Sequence, residues 1–139
     1  MTVSRLKLAF VALVFLAFPI GFARAQDAND GNALLHRCSL VIRMSDGQNV
    51  SSSLDNLDAG VCMGLVRGIA DTMTLWQSLD HGPVDNGEIH GCLPDSIKTI
   101  QLARIVVKYL NDHPERLQNP DTRLVLMALA DAFPCKQQQ

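Results

Sequence analysis

Apolar residues recur every three or four positions in four separate stretches of the chain. This spacing places them on one side of a helix, and few alternating β-branched runs compete with it. The four stretches are residues 29–44, Leu54–Leu79, a third beyond Pro94 that ends near His113, and residues 119–133. The third must end there because a proline follows, which disfavours helical geometry in the residue before it. The pattern therefore predicts an all-α domain with four main helices.

Each predicted helix has an apolar side that we expect to face the core. In the first helix this side consists of Leu34, Leu35, Cys38, Val41 and Ile42. In the second helix it consists of Leu54, Leu57, Val61, Leu65, Ile69, Thr72 and Trp76. In the third helix it consists of Leu102, Ile105, Val106, Tyr109 and Leu110. The fourth helix is apolar almost all round, which predicts a central place in the bundle or a cover by a second subunit.

Polar residues and turn formers mark where the helices begin and end. Ser52 or Ser53 is available as the N-cap of the second helix. Asn119 is the expected N-cap of the fourth helix, with Pro120 in the first helical position. Residues 80–93 contain three Gly and one Pro, so we expect irregular structure between the second and third helices.

The first 25 residues differ in composition from the rest. Arg5 and Lys7 precede an apolar run over residues 8–22. Ala23-Arg24-Ala25 follows the run and has small residues at the two positions that a signal peptidase recognises. The run is short for a membrane span and contains a proline and a glycine. We therefore predict a cleaved signal peptide over residues 1–25. The remainder, residues 26–139, is expected to be a single exported domain without a membrane anchor.

Removal of the signal peptide makes the chain acidic. Three basic and no acidic residues lie in the first 25 positions, so nine of the 12 basic residues remain against all 14 acidic ones, a net charge of −5. A nucleic-acid-binding protein would carry a basic patch, and an anionic lipid surface would also attract basic residues. The charge therefore argues against both nucleic acid and membrane as partners.

Export determines how the four cysteines are interpreted. An even number of Cys in a small exported domain indicates disulfides, and the chain has no CxxC motif that would suggest zinc or redox chemistry. If consecutive helices run antiparallel, Cys38 and Cys62 each lie about two turns from the connection between their helices. Cys92 precedes the third helix and Cys135 follows the fourth. Among the three pairings that four cysteines allow, this arrangement predicts Cys38–Cys62 and Cys92–Cys135, so that two disulfides staple the bundle.

Three glycines recur every four residues along the second predicted helix: Gly60, Gly64 and Gly68. Each costs about 1 kcal/mol relative to alanine in a helix interior, so a compensating contact is expected. Close packing against a neighbouring helix of the same chain is the favoured explanation. A homodimer seam or a docking groove for a partner is the alternative.

The sequence contains none of the common catalytic motifs. GxSxG, a phosphate-binding loop, HExxH and a dinucleotide fingerprint are all missing. One segment collects residue types that bind metals or transfer protons: Asp80, His81, Asp85, Glu88 and His90. We interpret it as a solvated loop and a candidate partner contact, and we predict no catalytic, cofactor or metal site. A metal site or an enzyme that acts through this loop is the alternative.

Several short motifs follow one another in a defined order. They are CMGLVRGIAD at 62–71, CLP at 92–94, Gln101, VVKYL at 106–110, HPE at 113–115 and ALADAFPC at 128–135. Their order and spacing resemble the Rap/Tai immunity proteins, and the resemblance covers residues 31–135. That family consists of small, exported, mostly helical and disulfide-containing proteins associated with type VI secretion systems of Gram-negative bacteria.

The resemblance implies a periplasmic protein that neutralises a toxic effector by stoichiometric binding, without catalysis of its own. In the best-known branch the effector is a peptidoglycan-cleaving amidase. The motifs describe a fold, so they imply no effector-contacting residues. Two positions depart from the family pattern: Leu65 replaces an aromatic residue, and Lys98 replaces a threonine, which moves the expected cap of the third helix to Ser96. The alternative function is a small periplasmic stress chaperone that exposes an apolar helix when acid breaks a dimer.

Overall fold

The computed structural model describes residues 29–50, 52–78 and 91–135. They form four α-helices: α1 (Gly31–Ser45), α2 (Ser53–Ser78), α3 (Thr99–Asp112) and α4 (Asp121–Ala132). A short 3-10 helix, Pro114–Arg116, joins α3 to α4. The predicted all-α class with four helices is confirmed. The predicted signal peptide at 1–25 lies outside the described residues.

The two disulfides join the helices as the spacing predicted. Cys38 of α1 is bonded to Cys62 of α2, with their Cα atoms 5.2 Å apart. Cys92, before α3, is bonded to Cys135, after α4, with their Cα atoms 4.8 Å apart. The first bond is fully buried, whereas Cys92 is exposed and Cys135 half-buried. One disulfide is therefore part of the core and the other ties the chain together at the surface.

The core lies where the inner sides of the four helices meet, and each helix contacts the other three. The predicted side of α3 is confirmed except at Ile105, which is only partly buried; Ala103 is buried in addition. In α1 the predicted Leu34, Cys38 and Val41 are buried. The fourth helix buries Leu124, Val125, Ala128 and Leu129. It shares the core with the other three helices rather than occupying its centre.

The predicted inner side of α2 is wrong. Its buried residues are Ala59, Cys62, Val66, Ala70 and Met73. Of the predicted set, Leu65 and Ile69 are half-buried, whereas Leu54, Leu57, Val61, Thr72 and Trp76 are exposed. The helix carries two apolar stripes, and the one that contains the bonded Cys62 faces the core. Because that stripe includes two alanines, α2 can lie close to its neighbours.

The glycine stripe of α2 makes no close packing contact with the described residues, so the predicted helix packing at these positions stays a prediction. A Cβ atom added at Gly60, Gly64 or Gly68 would meet no atom within 4 Å, counting the described residues. All three glycines are exposed. The reason is geometric, since they lie on the side of α2 opposite the buried stripe. Packing among the described helices is therefore not what compensates for them.

Two other glycines lie where another segment of backbone approaches closely. A Cβ atom on Gly31 would come within 2.8 Å of the Leu117 carbonyl oxygen, which accepts a hydrogen bond from the Gly31 amide. A Cβ atom on Gly91 would lie 2.9 Å from the Cα atom of Ala130. Gly91 also forms a bridge with Pro134, next to the exposed disulfide. These two positions attach the ends of the bundle to α4 and the segment before it.

The helix caps agree with the sequence in one case of three. The Ser52 hydroxyl accepts a hydrogen bond from the Leu54 amide at 3.2 Å, so the predicted cap of α2 is confirmed. For α3 the expected cap at Ser96 is wrong: the helix begins after Lys98, whose amide donates to Oε1 of Gln101. For α4 the expected cap at Asn119 is also wrong, because its side chain donates to a carbonyl oxygen of the preceding turn. There Pro120 occupies the cap position.

Candidate protein-binding surface

The outer side of α2 exposes large apolar side chains that do not pack against the hydrophobic core. Leu54 is 72% exposed, Leu57 65%, Val61 42% and Leu75 59%. The glycine stripe runs between them on the same side of the helix. We call this surface the outer face, and its members are Leu54, Leu57, Gly60, Val61, Gly64, Gly68, Thr72 and Leu75. Its large apolar residues lie near both ends and its small residues lie in the middle.

The charged groups on the outer side of α2 are paired: Asp71 lies on the outer face itself, at helical spacing from Gly64 and Leu75, and Arg67 lies at its edge. Arg67 and Asp71, one turn apart, form an ion pair with an Nη2 to Oδ1 distance of 2.6 Å. On the flank toward α1, the Arg37 Nε atom lies 3.2 Å from Oδ1 of Asp58 and joins the two helices. Both pairs are internal to the chain, so the charge on and beside the face is neutralised. A contiguous exposed apolar surface with a polar rim is typical of a protein-interaction site.

A shallow groove continues the outer face toward α1 and α3. It has an open volume of about 480 Å³. Its walls are formed by Val41, Met44, Ser45, Asn56, Ala59, Gly60, Met63 and Ile100. Gly60 belongs to both the groove and the outer face, so the two surfaces are contiguous.

The groove is suited to an apolar side chain of a protein partner. Its two methionines are unbranched and adapt to the shape of what they contact. One end is fixed by the ion pair between Arg104 of α3, one turn beyond Ile100, and Asp46 at the end of α1. The groove is open, unlike the enclosed clefts that bury most of a small ligand.

Among the described residues, three titratable groups have displaced pKa values, and each is explained by a contact at a helix end or on a helix surface. The Ala33 amide donates to Asp30, the N-cap of α1, and lowers the pKa of that carboxyl group. A hydrogen bond from Lys108 to Asp112, one turn along α3, raises the pKa of the lysine. The backbone amide of Glu115 lowers the pKa of its own carboxyl group, helped by His113. None of these groups belongs to the outer face or the groove.

The sequence also predicts a partner contact in the loop between α2 and α3. Asp80, His81, Asp85, Glu88 and His90 all lie outside the described residues. Within the parts that are described, no three His, Cys, Asp or Glu side chains are grouped to hold a metal ion. Nor is any of the described helices long and apolar enough to cross a membrane.

The apolar pattern of α2 favours the outer face as the core side because its side chains are larger than those of the true inner side. The signal that could have corrected the assignment is Cys62. The predicted bond to Cys38 requires Cys62 to face α1, and Ala59, Val66 and Met73 share its side of the helix at helical spacing. Leu54, Leu57 and Val61 lie on a different side.

The fold and its pairing of cysteines can now be compared with known proteins. The sequence signature of the Rap1a immunity proteins matches residues 30–135, from the cap of α1 to the last cysteine. The chain belongs to the Rap1a immunity protein family. The match with Rap1a proteins covers the four helices and both disulfides. Searches among curated proteins and among solved structures find no match.

Proposed function

We propose that the protein is a periplasmic immunity protein of a type VI secretion system that neutralises a cell-wall-degrading effector, of the amidase type, by stoichiometric binding. The match with the Rap1a family over residues 30–135 carries this proposal. The protein acts by covering a surface of the effector, so it needs no nucleophile or metal of its own. Two disulfides in so small a domain support an oxidising compartment.

The groove is the part of the surface that we assign to the effector. Specific protein interfaces are built around a few apolar anchors that enter well-packed pockets. The groove offers an open apolar depression between three helices, and Met63 on its wall is partly exposed, so an anchor side chain would complete the packing there. An apolar side chain of the effector that enters it would bury Met44 and Met63 together.

The decisive experiment measures binding and protection with a secreted peptidoglycan hydrolase encoded beside this protein. We expect titration of the hydrolase with the oxidised protein to abolish peptidoglycan cleavage at one equivalent. Producing cells should survive the effector only when the protein is exported. Full activity of the hydrolase in an excess of bound protein would contradict the proposal.

A matched pair of variants tests whether the effector binds at the groove. Met63→Lys places a charge in the groove and should weaken binding at least about tenfold, which corresponds to about 1.4 kcal/mol. Thr122→Lys adds the same charge on the exposed side of α4 and should leave affinity unchanged. Equal affinities for the two variants would place the effector elsewhere, with the 80–90 loop as the next candidate.

Two further measurements separate this proposal from its alternatives. A chaperone would suppress aggregation of an unrelated unfolded protein after acidification and would not inhibit the hydrolase. An enzyme would show turnover on peptidoglycan fragments, and the double substitution His81→Ala with His90→Ala would remove it. For an immunity protein we expect neither activity.

A further inference from the structure

The methionines that the structure describes fall into two classes by exposure. Met44 is 43% exposed and Met63 is 36% exposed, whereas Met73 is 7% exposed. Met127 is half-buried and packs against the core. The fifth methionine of the sequence, Met1, lies outside the described residues. The two exposed methionines come from different helices, yet both are walls of the groove, so their thioethers are concentrated at one site.

Exposure determines which methionines an oxidant in the solvent can reach. Oxidation of a thioether gives a sulfoxide, which is polar where the methionine was apolar. We propose that the groove is a methionine oxidation site, at which a peroxide converts Met44 and Met63 to sulfoxides. Because both side chains are walls of the groove, the modification changes the polarity of that surface.

The reaction needs no residue of the protein besides the methionine. With hydrogen peroxide, the sulfur lone pair attacks one oxygen atom and forms the sulfur–oxygen bond while the oxygen–oxygen bond breaks. The second oxygen leaves as hydroxide, takes the proton of the transferred oxygen and becomes water. Sulfur is oxidised by two electrons and the peroxide is reduced by two electrons, which gives the sulfoxide.

The cysteines do not compete with the methionines for the oxidant. Peroxide attacks thiolates, but all four cysteines of the chain are bonded in pairs. The same disulfides suit an oxidising compartment, where a peroxide can reach the protein. Methionine sulfur is therefore the sulfur that is open to oxidation on the described surface.

The fold should tolerate both sulfoxides. Neither Met44 nor Met63 belongs to the hydrophobic core or to the partly buried residues that pack against it. Met44 lies in the last turn of α1, next to its final residue. Oxidation of Met73, by contrast, would place a polar group in the core. The modification at the groove should thus change the surface without opening the bundle.

A groove with two sulfoxides is poorly suited to an apolar anchor. The polar side chains among its other walls are Ser45 and Asn56. The sulfoxide oxygens would remain hydrated, and an apolar side chain that enters the groove would have to displace that water. This consequence rests on the proposed function, because it assumes that the effector binds at the groove. Oxidation should then weaken binding of the effector.

Peptide mapping tests the site without any effector. The purified protein is treated with hydrogen peroxide under native conditions, and trypsin then releases peptide 44–67, which contains both groove methionines. Fragmentation of this peptide should locate a gain of about 16 Da on Met44 and on Met63 before any gain on Met73 or Met127. Oxidation of Met73 or Met127 as fast as the groove methionines would overturn the proposal.

A double variant assigns the effects of peroxide to these two side chains. Met44→Leu with Met63→Leu keeps both positions apolar and similar in volume but removes the sulfur. Peroxide should make wild type elute earlier from a hydrophobic-interaction column and should leave the double variant unchanged. Circular dichroism should show the same helix content before and after treatment. An equal shift in both proteins, or no shift in wild type, would refute the change in polarity at the groove.

The hydrolase encoded beside this protein measures the consequence for binding. After removal of the peroxide, treated wild type should bind it at least about tenfold more weakly, and the treated double variant should keep its affinity. The two methionine sulfoxide reductases, one for each epimer, should restore the affinity of wild type. Unchanged affinity of the sulfoxide form would refute the effect on binding. An untreated protein that does not bind the hydrolase would refute the proposed function, and peptide mapping would still decide the oxidation site.

Discussion

At the scale of single residues, the glycines show how one residue type serves opposite purposes in a small domain. Gly31 is required by a close approach, since its backbone hydrogen-bonds to Leu117 with no room for a side chain. Gly64 faces open space in the single chain. The first glycine is explained by the fold, whereas no contact among the described residues explains the second.

A comparison of two alanine variants tests this difference. Gly31→Ala should lower the free energy of unfolding by about 1 to 3 kcal/mol, because the added atom overlaps backbone. Gly64→Ala should raise it by up to about 1 kcal/mol, because alanine favours the helix. Urea denaturation of the two purified variants beside wild type measures both. A loss of stability in Gly64→Ala as large as that in Gly31→Ala would mean that the stripe is covered.

The cap of α1 predicts a specific pH dependence. The Ala33 amide lowers the pKa of Asp30 below its ordinary value of 3.8, so the folded state favours the ionised carboxylate. Its contribution is complete at pH values above the unfolded pKa and is lost as the pH falls through the folded pKa. Asp30→Ala should therefore cost about 1 kcal/mol at pH 7 and less below about pH 4.

Asp30→Asn is the matched control for this titration. Asparagine caps a helix about as well as aspartate but has no carboxyl group to titrate. The Asp30→Asn variant should therefore stay about 1 kcal/mol more stable than Asp30→Ala at every pH, because neither side chain titrates. Thermal unfolding of all three proteins between pH 3 and pH 7 makes the comparison, and a pH-independent gap between wild type and Asp30→Ala would contradict the proposed role of ionisation.

At the scale of elements, the two disulfides differ in where they lie. The α1–α2 bond between Cys38 and Cys62 is fully buried. The bond between Cys92 and Cys135 joins the segments before α3 and after α4 at the surface. A small reductant reaches an exposed sulfur without unfolding the protein, whereas a buried one requires opening of the core.

This difference predicts stepwise reduction. Under native conditions and a mild thiol reductant, Cys92–Cys135 should be reduced first, and Cys38–Cys62 should persist until the bundle unfolds. The surface bond closes the longer loop, with a separation of 43 residues against 24, so its loss should still cost about 4 kcal/mol. Alkylation of the partly reduced protein followed by peptide mapping identifies the free thiols. Labelled Cys38 or Cys62 in a folded protein that retains the other bond would contradict the prediction.

At the scale of the whole molecule, the domain is held together by one apolar core and two disulfides. Each of the four helices contacts the other three, so the core is shared by all elements. The described residues contain no grouping of ligands for a metal ion. The two disulfides should make stability depend on redox conditions, and independence from metals stays a prediction.

Treatment with a chelator and with a reductant tests this expectation. A chelator should leave the melting temperature unchanged, and complete reduction should lower it strongly, since each disulfide contributes about 2 to 4 kcal/mol. Metal analysis of the purified protein should find no stoichiometric ion. A chelator-induced drop in melting temperature that is absent in the variant with His81→Ala and His90→Ala would instead reveal a metal site in the 80–90 loop.

The local features of the sequence were sufficient for much of this structure. Helical spacing predicted four helices, and their consecutive arrangement predicted both disulfides, because cysteine positions along antiparallel neighbours leave one pairing at matching heights. The side of α3 that faces the core was also predictable, because its apolar residues form a single stripe. The caps of α3 and α4 were not predictable from the sequence. They depend on contacts of Gln101 and of the turn before Pro120, which residue preferences alone do not indicate.

The sequence by itself determined the helices, the cysteine pairing and, through its ordered motifs, the resemblance to the immunity proteins. Only the tertiary structure decided which side of α2 faces inward. That helix has two apolar stripes, and hydrophobicity favours the larger side chains of Leu54, Leu57 and Val61. The core accepts the smaller side chains of Ala59 and Ala70 instead, because the Cys38–Cys62 bond and close helix packing require them. The larger residues and the glycine stripe are therefore left on the surface, where a partner can bind.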